Sequence, residues 1–135
     1  MSVQSLDHVN IRTPRLDETI AFYRDALGMT VTAPPGAAPG SRAAWITDGA
    51  GHPVIHLGTP DAAYPSDDAV PFTAQRGGGS VHHFALNCRD FAGTRSRLQR
   101  LGIEISEHHL AALNLRQLFV LDPNGVMVEL NFFGD

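Results

Sequence analysis

The strongest constraint on the fold of this chain is an internal duplication. The segment VHHFALNC, which contains His83, repeats the pattern of LDHVNIR, which contains His8. In both, a histidine is followed by alternating apolar and small or polar residues. Later landmarks agree in spacing, because Gly28 lies 20 positions after His8 and Gly102 lies 19 positions after His83. The sequence therefore predicts two tandem copies of one structural unit.

Each copy has the hydrophobic periodicity of a βαβββ unit. Period-two alternation predicts the strands, apolar residues at helical spacing predict one helix per copy, and a glycine ends each helix. Thr13 and Asp90 are candidate helix caps, and Leu101 is expected on the buried stripe of the second helix. We predict strands at residues 5–12, 29–33, 43–47 and 53–58 in the first copy and 81–88, 103–107, 115–121 and 126–132 in the second, with loops at 34–40 and 108–114.

The length of 135 residues suits a single domain with an ordinary hydrophobic core. We divide it into module one at about residues 1–58, a connecting segment at 59–79, and module two at about 80–135. The connecting segment is rich in proline, glycine and aspartate. It is therefore either a plain linker or a lid over a site.

The composition excludes several classes of function. The net charge of −4 argues against nucleic acid as a partner, and all 10 basic side chains are arginine, which excludes Schiff-base chemistry on lysine. The single cysteine, Cys88, cannot form an intrachain disulfide, and its strand phase predicts a buried, inert thiol. We see neither a signal leader nor an apolar run near the ~20 residues of a membrane span, so we expect a cytoplasmic protein.

Four polar side chains interrupt predicted strands at repeat-equivalent positions. They lie in the first and last strands of the two copies, where His56 and Glu129 have large apolar neighbours on both sides and each of the other two is followed by one: His8, His56, His83 and Glu129. A buried carboxylate costs on the order of several kcal/mol, and a divalent cation can compensate that cost. Imidazole and carboxylate ligands together suit Fe(II), Mn, Ni, Co or Zn rather than Mg or Ca. A lone strand histidine is more often structural, but four equivalent positions favour a metal site.

The other histidines are expected to be structural or solvated. His82 precedes His83 in the same strand, points to the opposite face, and is interpreted as a structural or surface residue. His52 lies beside a turn, and His108 and His109 lie in a predicted loop. One of the latter pair could still act as an acid or base over the site.

The chain resembles the vicinal oxygen chelate superfamily, which includes glyoxalase I, methylmalonyl-CoA epimerase, fosfomycin and bleomycin resistance proteins, and extradiol dioxygenases. The resemblance implies an α+β fold in which two tandem βαβββ modules form a cupped mixed β-sheet, with flanking helices, around a divalent metal. It also implies a homodimer and metal ligands at His8, His56, His83 and Glu129. The segments that carry it are LDHVNI at 6–11, AFYRDALG at 21–28, HFAL at 83–86 and FVLDPNGVMVEL at 119–130.

Individual members match in different ways. Glyoxalase I of the bacterial type shares three of the four ligands and usually has glutamate at the position of His56. Arg12 matches an arginine that this family uses for glutathione, whereas Pro60 stands where that family tends to have asparagine. Extradiol dioxygenases place a catalytic tyrosine where this chain has Phe119, although His109 could supply their acid/base histidine. Bleomycin-binding members lack the metal set.

The resemblance thus implies a metal-dependent lyase or isomerase that binds a small substrate by two vicinal oxygens. Glu129 is expected to be both ligand and base. His109 is a second candidate catalytic residue, and Arg12, Gln117 and Phe119 are candidate substrate contacts. The alternatives are an Fe(II) dioxygenase acting on a catecholic substrate and a non-catalytic, antibiotic-binding resistance protein.

Overall fold

A computed structural model of the chain describes residues 2–73 and 75–134. It divides into two compact units, Met1–Ala74 and Gln75–Asp135. The boundary lies inside the predicted connecting segment, and residues 59–73 belong to the first unit. No helix in the described ranges is long and apolar enough to cross a bilayer.

Module one contains one four-stranded mixed sheet. Strand β1 is parallel to β4, whereas β3 pairs antiparallel with both β4 and β2, which gives the order β1-β4-β3-β2. Helix α1 continues directly into a π-helical turn, and Gly28 follows with φ of 72°, a conformation that favours glycine. The elements are β1 (Val9–Arg12), α1 (Leu16–Ala21), the π-helical turn (Phe22–Ala26), β2 (Thr30–Thr32), β3 (Ala43–Thr47) and β4 (Pro53–Gly58).

Module two repeats this topology strand for strand. Strand β5 is parallel to β8, β7 is antiparallel to β8 and β6, and the order is β5-β8-β7-β6. The two βαβββ modules predicted from the repeat are therefore confirmed. The elements are β5 (His83–Asn87), α2 (Phe91–Arg100), β6 (Ser106–Leu110), a 3₁₀ turn (Ala111–Leu113), β7 (Leu115–Leu121) and β8 (Met127–Phe133).

Each sheet buries its alternate apolar side chains on one face. In module one Ile11, Ile46, Ile55 and Leu57 are buried, and α1 packs against β3 and β4. In module two the ring of Phe91 in α2 meets that of Phe132 in β8 edge to face, at 5.4 Å between centroids. The opposite face of each sheet is left for polar residues, as period-two alternation requires.

The prediction for the third-last strand was wrong. Residues 103–107 were expected to form a strand and 108–114 a loop, but β6 covers Ser106–Leu110 and includes both His108 and His109. The reason is the end of α2, where Gly102 donates to the carbonyl of Gln99 and Ile103 donates to that of Leu98. This Schellman arrangement uses residues 102 and 103 to close the helix, so the strand begins later.

Smaller corrections concern the helix ends. Thr13 was expected to cap α1, but the residue before the helix is Arg15, whose N–H donates to Thr13 Oγ1 at 2.8 Å. Leu101 was expected on the buried stripe of α2, yet it is 50% exposed because it follows the last helical residue. Asp90 caps α2 as predicted and accepts a hydrogen bond from Gly93 N at 3.0 Å.

Replacing the α2 cap should measurably destabilise module two. Asp90 adopts the left-handed conformation, with φ of 62°, and its carboxylate satisfies a helix N–H. We expect Asp90→Ala to lower the free energy of unfolding by about 1–2 kcal/mol, measured by urea denaturation. Asp90→Asn is the matched control, because asparagine keeps the acceptor and tolerates the same φ. Equal losses in both variants would contradict the role of the cap.

The thiol of Cys88 should react slowly, as the sequence predicted. The residue is half-buried, and burial raises the pKa of the thiol to about 11. At pH 8 the thiolate fraction is then lower by about two orders of magnitude than for an ordinary cysteine. Labelling with a disulfide reagent such as DTNB should be correspondingly slow in the native protein and normal in guanidinium. Fast native labelling would show an accessible, activated thiol instead.

Candidate functional site

Polar side chains of module one gather on the sheet face opposite the core. Asn10 of β1 and Trp45 of β3 both lie opposite His56 of β4, so all three project from one face. Arg12, two residues after Asn10, shares that face by alternation. We call this surface, together with His8, the module-one polar face.

The imidazole of His56 lies between two aromatic rings. The ring of Trp45 stacks on one side, at 4.3 Å between centroids and 9° between planes, and the ring of His8 on the other, at 3.7 Å and 13°. The Nε2 atom of His56 is buried without a hydrogen-bond partner among the described residues. Burial, and to a lesser extent the nearby His8, lowers the pKa of His56. The stack therefore favours a neutral His56.

His8 carries a hydrogen bond that fixes its orientation. Its Nδ1 lies 2.5 Å from Asp7 Oδ2, and this hydrogen bond holds the pKa of the Asp7 carboxyl below its usual value. With the proton on Nδ1, the lone pair is on Nε2. A carboxylate on the far nitrogen is the usual companion of a metal-binding histidine. Asp7 was not among the predicted site residues.

The stacked rings cannot both bind one ion in this arrangement. A metal ligated by imidazole lies near the plane of that ring, on the lone pair of a nitrogen. The planes of His8 and His56 are nearly parallel and their centroids are 3.7 Å apart. Only one of the two can therefore direct its lone pair to a given ion unless a ring turns. The hydrogen bond that His8 donates to Asp7 favours His8 as that residue.

Module two presents an equivalent polar face. Phe119 lies opposite Glu129, as Trp45 lies opposite His56 in module one, and Gln117 lies opposite both Asn131 and His108. These residues, together with His83 at the start of β5, form the module-two polar face. The ring of Phe119 meets His83 edge to face, with centroids 6.3 Å apart.

Glu129 is the buried carboxylate of this face and is held from both sides. It is 9% exposed, and its Oε2 lies 2.7 Å from His83 Nε2. Its Oε1 accepts a hydrogen bond from Gln117 Nε2, and the same amide nitrogen also donates to Asn131 Oδ1 at 3.0 Å. The burial cost expected from the sequence is thus offset by neighbouring donors in module two.

The network continues beyond Gln117 and His83. Gln117 Oε1 lies 3.1 Å from His108 Nδ1, and His83 Nδ1 lies 2.7 Å from His82 Nδ1. A continuous chain of polar contacts therefore connects the two ends of the face. Both the oxygen and the nitrogen of the Gln117 amide are bonded to neighbouring side chains. Gln117 could therefore contact a substrate, as predicted, only if one of these hydrogen bonds broke. His82, expected to be structural, contacts His83 directly.

His109 lies on the other face of the module-two sheet. It pairs with Arg116, and the guanidinium of Arg116 lies over the ring of Phe91, 4.9 Å from its centroid. His109 therefore lies on the face opposite to Glu129, and this placement does not support its predicted acid/base role. His108 lies on the polar face instead, because β6 extends to Leu110 and pairs His108 with Gln117.

Arg12, a predicted substrate contact, is already paired. Its guanidinium forms an ion pair with Asp67 of the connecting segment, 3.0 Å from Nη1 to Oδ1. Tyr64 and Phe72, from the same segment, flank it, with ring centroids 4.5 and 4.9 Å from Cζ. No sequence signal linked these residues, since they lie more than 50 positions from Arg12.

Each module contains donor atoms of the type that a divalent transition metal binds. Adjacent donors on an ion with bonds of about 2.1 Å stand about 3 Å apart, close to the separation of His83 Nε2 and Glu129 Oε2. In module one the unpaired His56 Nε2 and the oriented His8 are nitrogen donors of the right type. Within residues 2–73 and 75–134, no three histidine, cysteine, aspartate or glutamate side chains are grouped to hold an ion.

The fold and its polar faces define a two-module α+β protein built from βαβββ units. The family model of the Glyoxalase/Bleomycin resistance protein/Dioxygenase superfamily matches residues 5–130, and the chain belongs to this superfamily. The resemblance seen in the sequence is thereby confirmed.

Individual relatives are distant in sequence. The Arabidopsis thaliana protein Glyoxylase I 4 is 25% identical over 133 residues, which cover 96% of this chain and 71% of that protein. Lactoylglutathione lyase from Agrobacterium tumefaciens has a TM-score of 0.66 at 19% identity, covering 98% of this chain and 96% of that one. A fosfomycin resistance protein from Listeria monocytogenes has a TM-score of 0.67 at 16% identity, covering 96% and 93%. Both of these solved structures have the same fold as this chain.

Proposed function

We propose that the protein is a metal-dependent lyase or isomerase that binds a small substrate through two vicinal oxygens, with Glu129 as the proton-transferring base. The observation that carries this proposal is the buried carboxylate of Glu129, held between Gln117 and His83. A carboxylate that is shielded from water and fixed in direction suits proton transfer at carbon. The named relatives include a lyase and a glyoxylase, which supports the same class of reaction.

The metal ligands that we propose are His8, His83 and Glu129, and His56 is the fourth candidate. When bound, a divalent ion such as Ni, Zn, Mn, Co or Fe(II) would supply a Lewis acid for negative charge developing on the substrate oxygens. His8 is preferred to His56 because Asp7 orients it and because His56 is enclosed by the Trp45 and His8 rings. His56 then serves to fix the plane of His8.

Glu129 is the group that moves the proton. Its Oε1 is fixed by the amide of Gln117, so its Oε2, which faces His83, is the oxygen that we propose accepts the proton. Phe119, half-buried beside His83, forms an apolar wall that limits water around the carboxylate. The phenylalanine provides no hydroxyl of the kind that ring-cleaving dioxygenases use, which favours proton transfer over oxygen chemistry. We propose in addition that the protein is cytoplasmic and forms a homodimer, as expected from the sequence.

Metal content and turnover should depend on the same residues. We expect the wild type to bind about one transition-metal ion per chain, and His83→Ala or His8→Ala to reduce occupancy at least about tenfold, measured by ICP mass spectrometry after metal loading. His52→Ala is the matched control, because His52 lies in an exposed turn. Glu129→Gln should lower kcat about 10²–10⁴-fold in a screen of α-keto hemithioacetals.

Two outcomes would overturn this function. Oxygen consumption with catechols by the Fe(II) protein would establish the dioxygenase alternative. Tight binding of an antibiotic by a protein that neither binds metal nor turns over either substrate class would establish the resistance alternative.

Retention of metal by His56→Ala but not by His8→Ala would confirm His8, rather than His56, as the metal ligand of the two stacked rings.

Gln117 should act on the base rather than on the substrate. We expect Gln117→Leu to lower kcat about 10–100-fold with little change in KM, and to raise the deuterium isotope effect on the transferred hydrogen, because Glu129 loses its fixed direction. Asn131→Ala is the control, since it leaves the bond from Gln117 to Glu129 in place. A rise in KM alone would instead establish Gln117 as the substrate contact that the sequence predicted.

A further inference from the structure

The guanidinium of Arg12 is built into module one as a binding position for a carboxylate. The side chain is 9% exposed, and Nη1 and Nη2 lie 3.0 and 3.5 Å from the two oxygens of Asp67. Such a fork is the geometry with which arginine binds a carboxylate. The rings of Tyr64 and Phe72, 4.5 and 4.9 Å from Cζ, flank the guanidinium and restrict its orientation.

The carboxylate that fills this position belongs to the connecting segment. Asp67 is held by Arg12 and by the N–H of Tyr64, which donates to Oδ2 at 2.8 Å. The hydrogen bond from the backbone N–H of Tyr64 lowers the pKa of Asp67 most, and Arg12 lowers it further. The Asp67 carboxyl is therefore charged at neutral pH. The segment from residue 59 to 73 has turns but neither helix nor strand, and the Tyr64 hydroxyl accepts from Asn10 at 2.6 Å.

Asp67 leaves one donor of Arg12 unused. The Nε–H is buried and has no hydrogen-bond partner in the described part of the chain. A buried donor without a partner is unfavourable. A carboxylate that approached from the Nε side could bond Nε and one Nη together, which Asp67 does not do. The Nε–H is therefore a donor that the present occupant leaves unsatisfied.

The pair lies on the same face as the stacked histidines. Arg12 and Asn10 alternate along β1, and Asn10 lies directly opposite His56. Opposite Arg12 stands Gly58, and a side chain there would contact Tyr64 and Ala62 of the connecting segment at 3.7 Å. The connecting segment therefore covers one end of the module-one polar face.

We propose that Asp67 is a specificity-determining residue, which occupies the carboxylate-binding position of Arg12 and so excludes substrates that carry an anionic group at that end. A tethered carboxylate competes at an effective concentration in the millimolar range or above, and a free anion must exceed it. The inference deepens the proposed function and rests on it for the view that the excluded ligands are substrates. The binding step itself requires neither metal nor turnover.

The test is an NMR titration of the full chain, labelled with ¹⁵N and dialysed against EDTA so that the probe has no metal to bind. The probe is propionate, and propionamide is its uncharged isostere. The readout is the Nε–H resonance of Arg12, assigned with Arg12→Lys. The variants are Asp67→Ala and Asp67→Asn, and the matched control is Asp68→Ala, which removes the same charge from the neighbouring exposed residue.

We expect Asp67→Ala to bind propionate at least about tenfold more tightly than the wild type and Asp68→Ala, with no response to propionamide. If Asp67→Ala does not fold, Asp67→Asn answers the same question, because its amide oxygen can still accept from Tyr64. Equal binding by the wild type and the Asp67 variants, absence of binding in all of them, or an equal response to propionamide would overturn the proposal. Propionate binding by Asp67→Ala in a chain without turnover would leave this site standing and remove only the proposed reaction.

Discussion

The burial of the Glu129 carboxylate is the physical constraint on which the arrangement of the module-two polar face depends. A carboxylate that is 9% exposed is stable only with compensation, and module two provides it through Gln117 on one oxygen and His83 on the other. These partners come from three adjacent strands, so the order β5-β8-β7 is what brings them together. The sheet topology thereby sets the direction of the Glu129 carboxylate, and the bond from Gln117 ties that direction to a non-titrating group.

The two modules share a topology but have used the equivalent position differently. In both, an aromatic residue of the middle strand lies opposite the polar residue of the last strand, Trp45 opposite His56 and Phe119 opposite Glu129. The imidazole of His56 is held by stacking and burial lowers its pKa, whereas the carboxylate of Glu129 is held by Gln117 and His83. The duplicated position thus lies in a stack of rings in module one and holds a bonded carboxylate in module two. This asymmetry is the physical basis on which we propose three metal ligands rather than four.

The connecting segment determines how the charge of Arg12 is used on the module-one polar face. Arg12 lies on a polar face next to the stacked rings, but its charge is paired with Asp67 and its guanidinium contacts the rings of Tyr64 and Phe72. An arginine that is exposed to a site attracts anions, and one that is neutralised by its own chain does not. Asp67, which neutralises Arg12, lies in the connecting segment, and this segment forms neither helix nor strand in its described residues.

The sequence by itself determined the repeat, the order of the elements and the residues that would interrupt the apolar pattern. The strands at 43–47, 53–58 and 115–121 have the predicted bounds, because period-two alternation is a local property. Tertiary structure decided which partners these residues have: Asp67 for Arg12, Gln117 for Glu129, and Trp45 for His56. It also moved His108 onto the polar face and His109 off it, through a helix end that displaced one strand. Alternation fixes which residues share a face, whereas contacts between distant segments depend on strand order and register, which arise only when the sheet assembles.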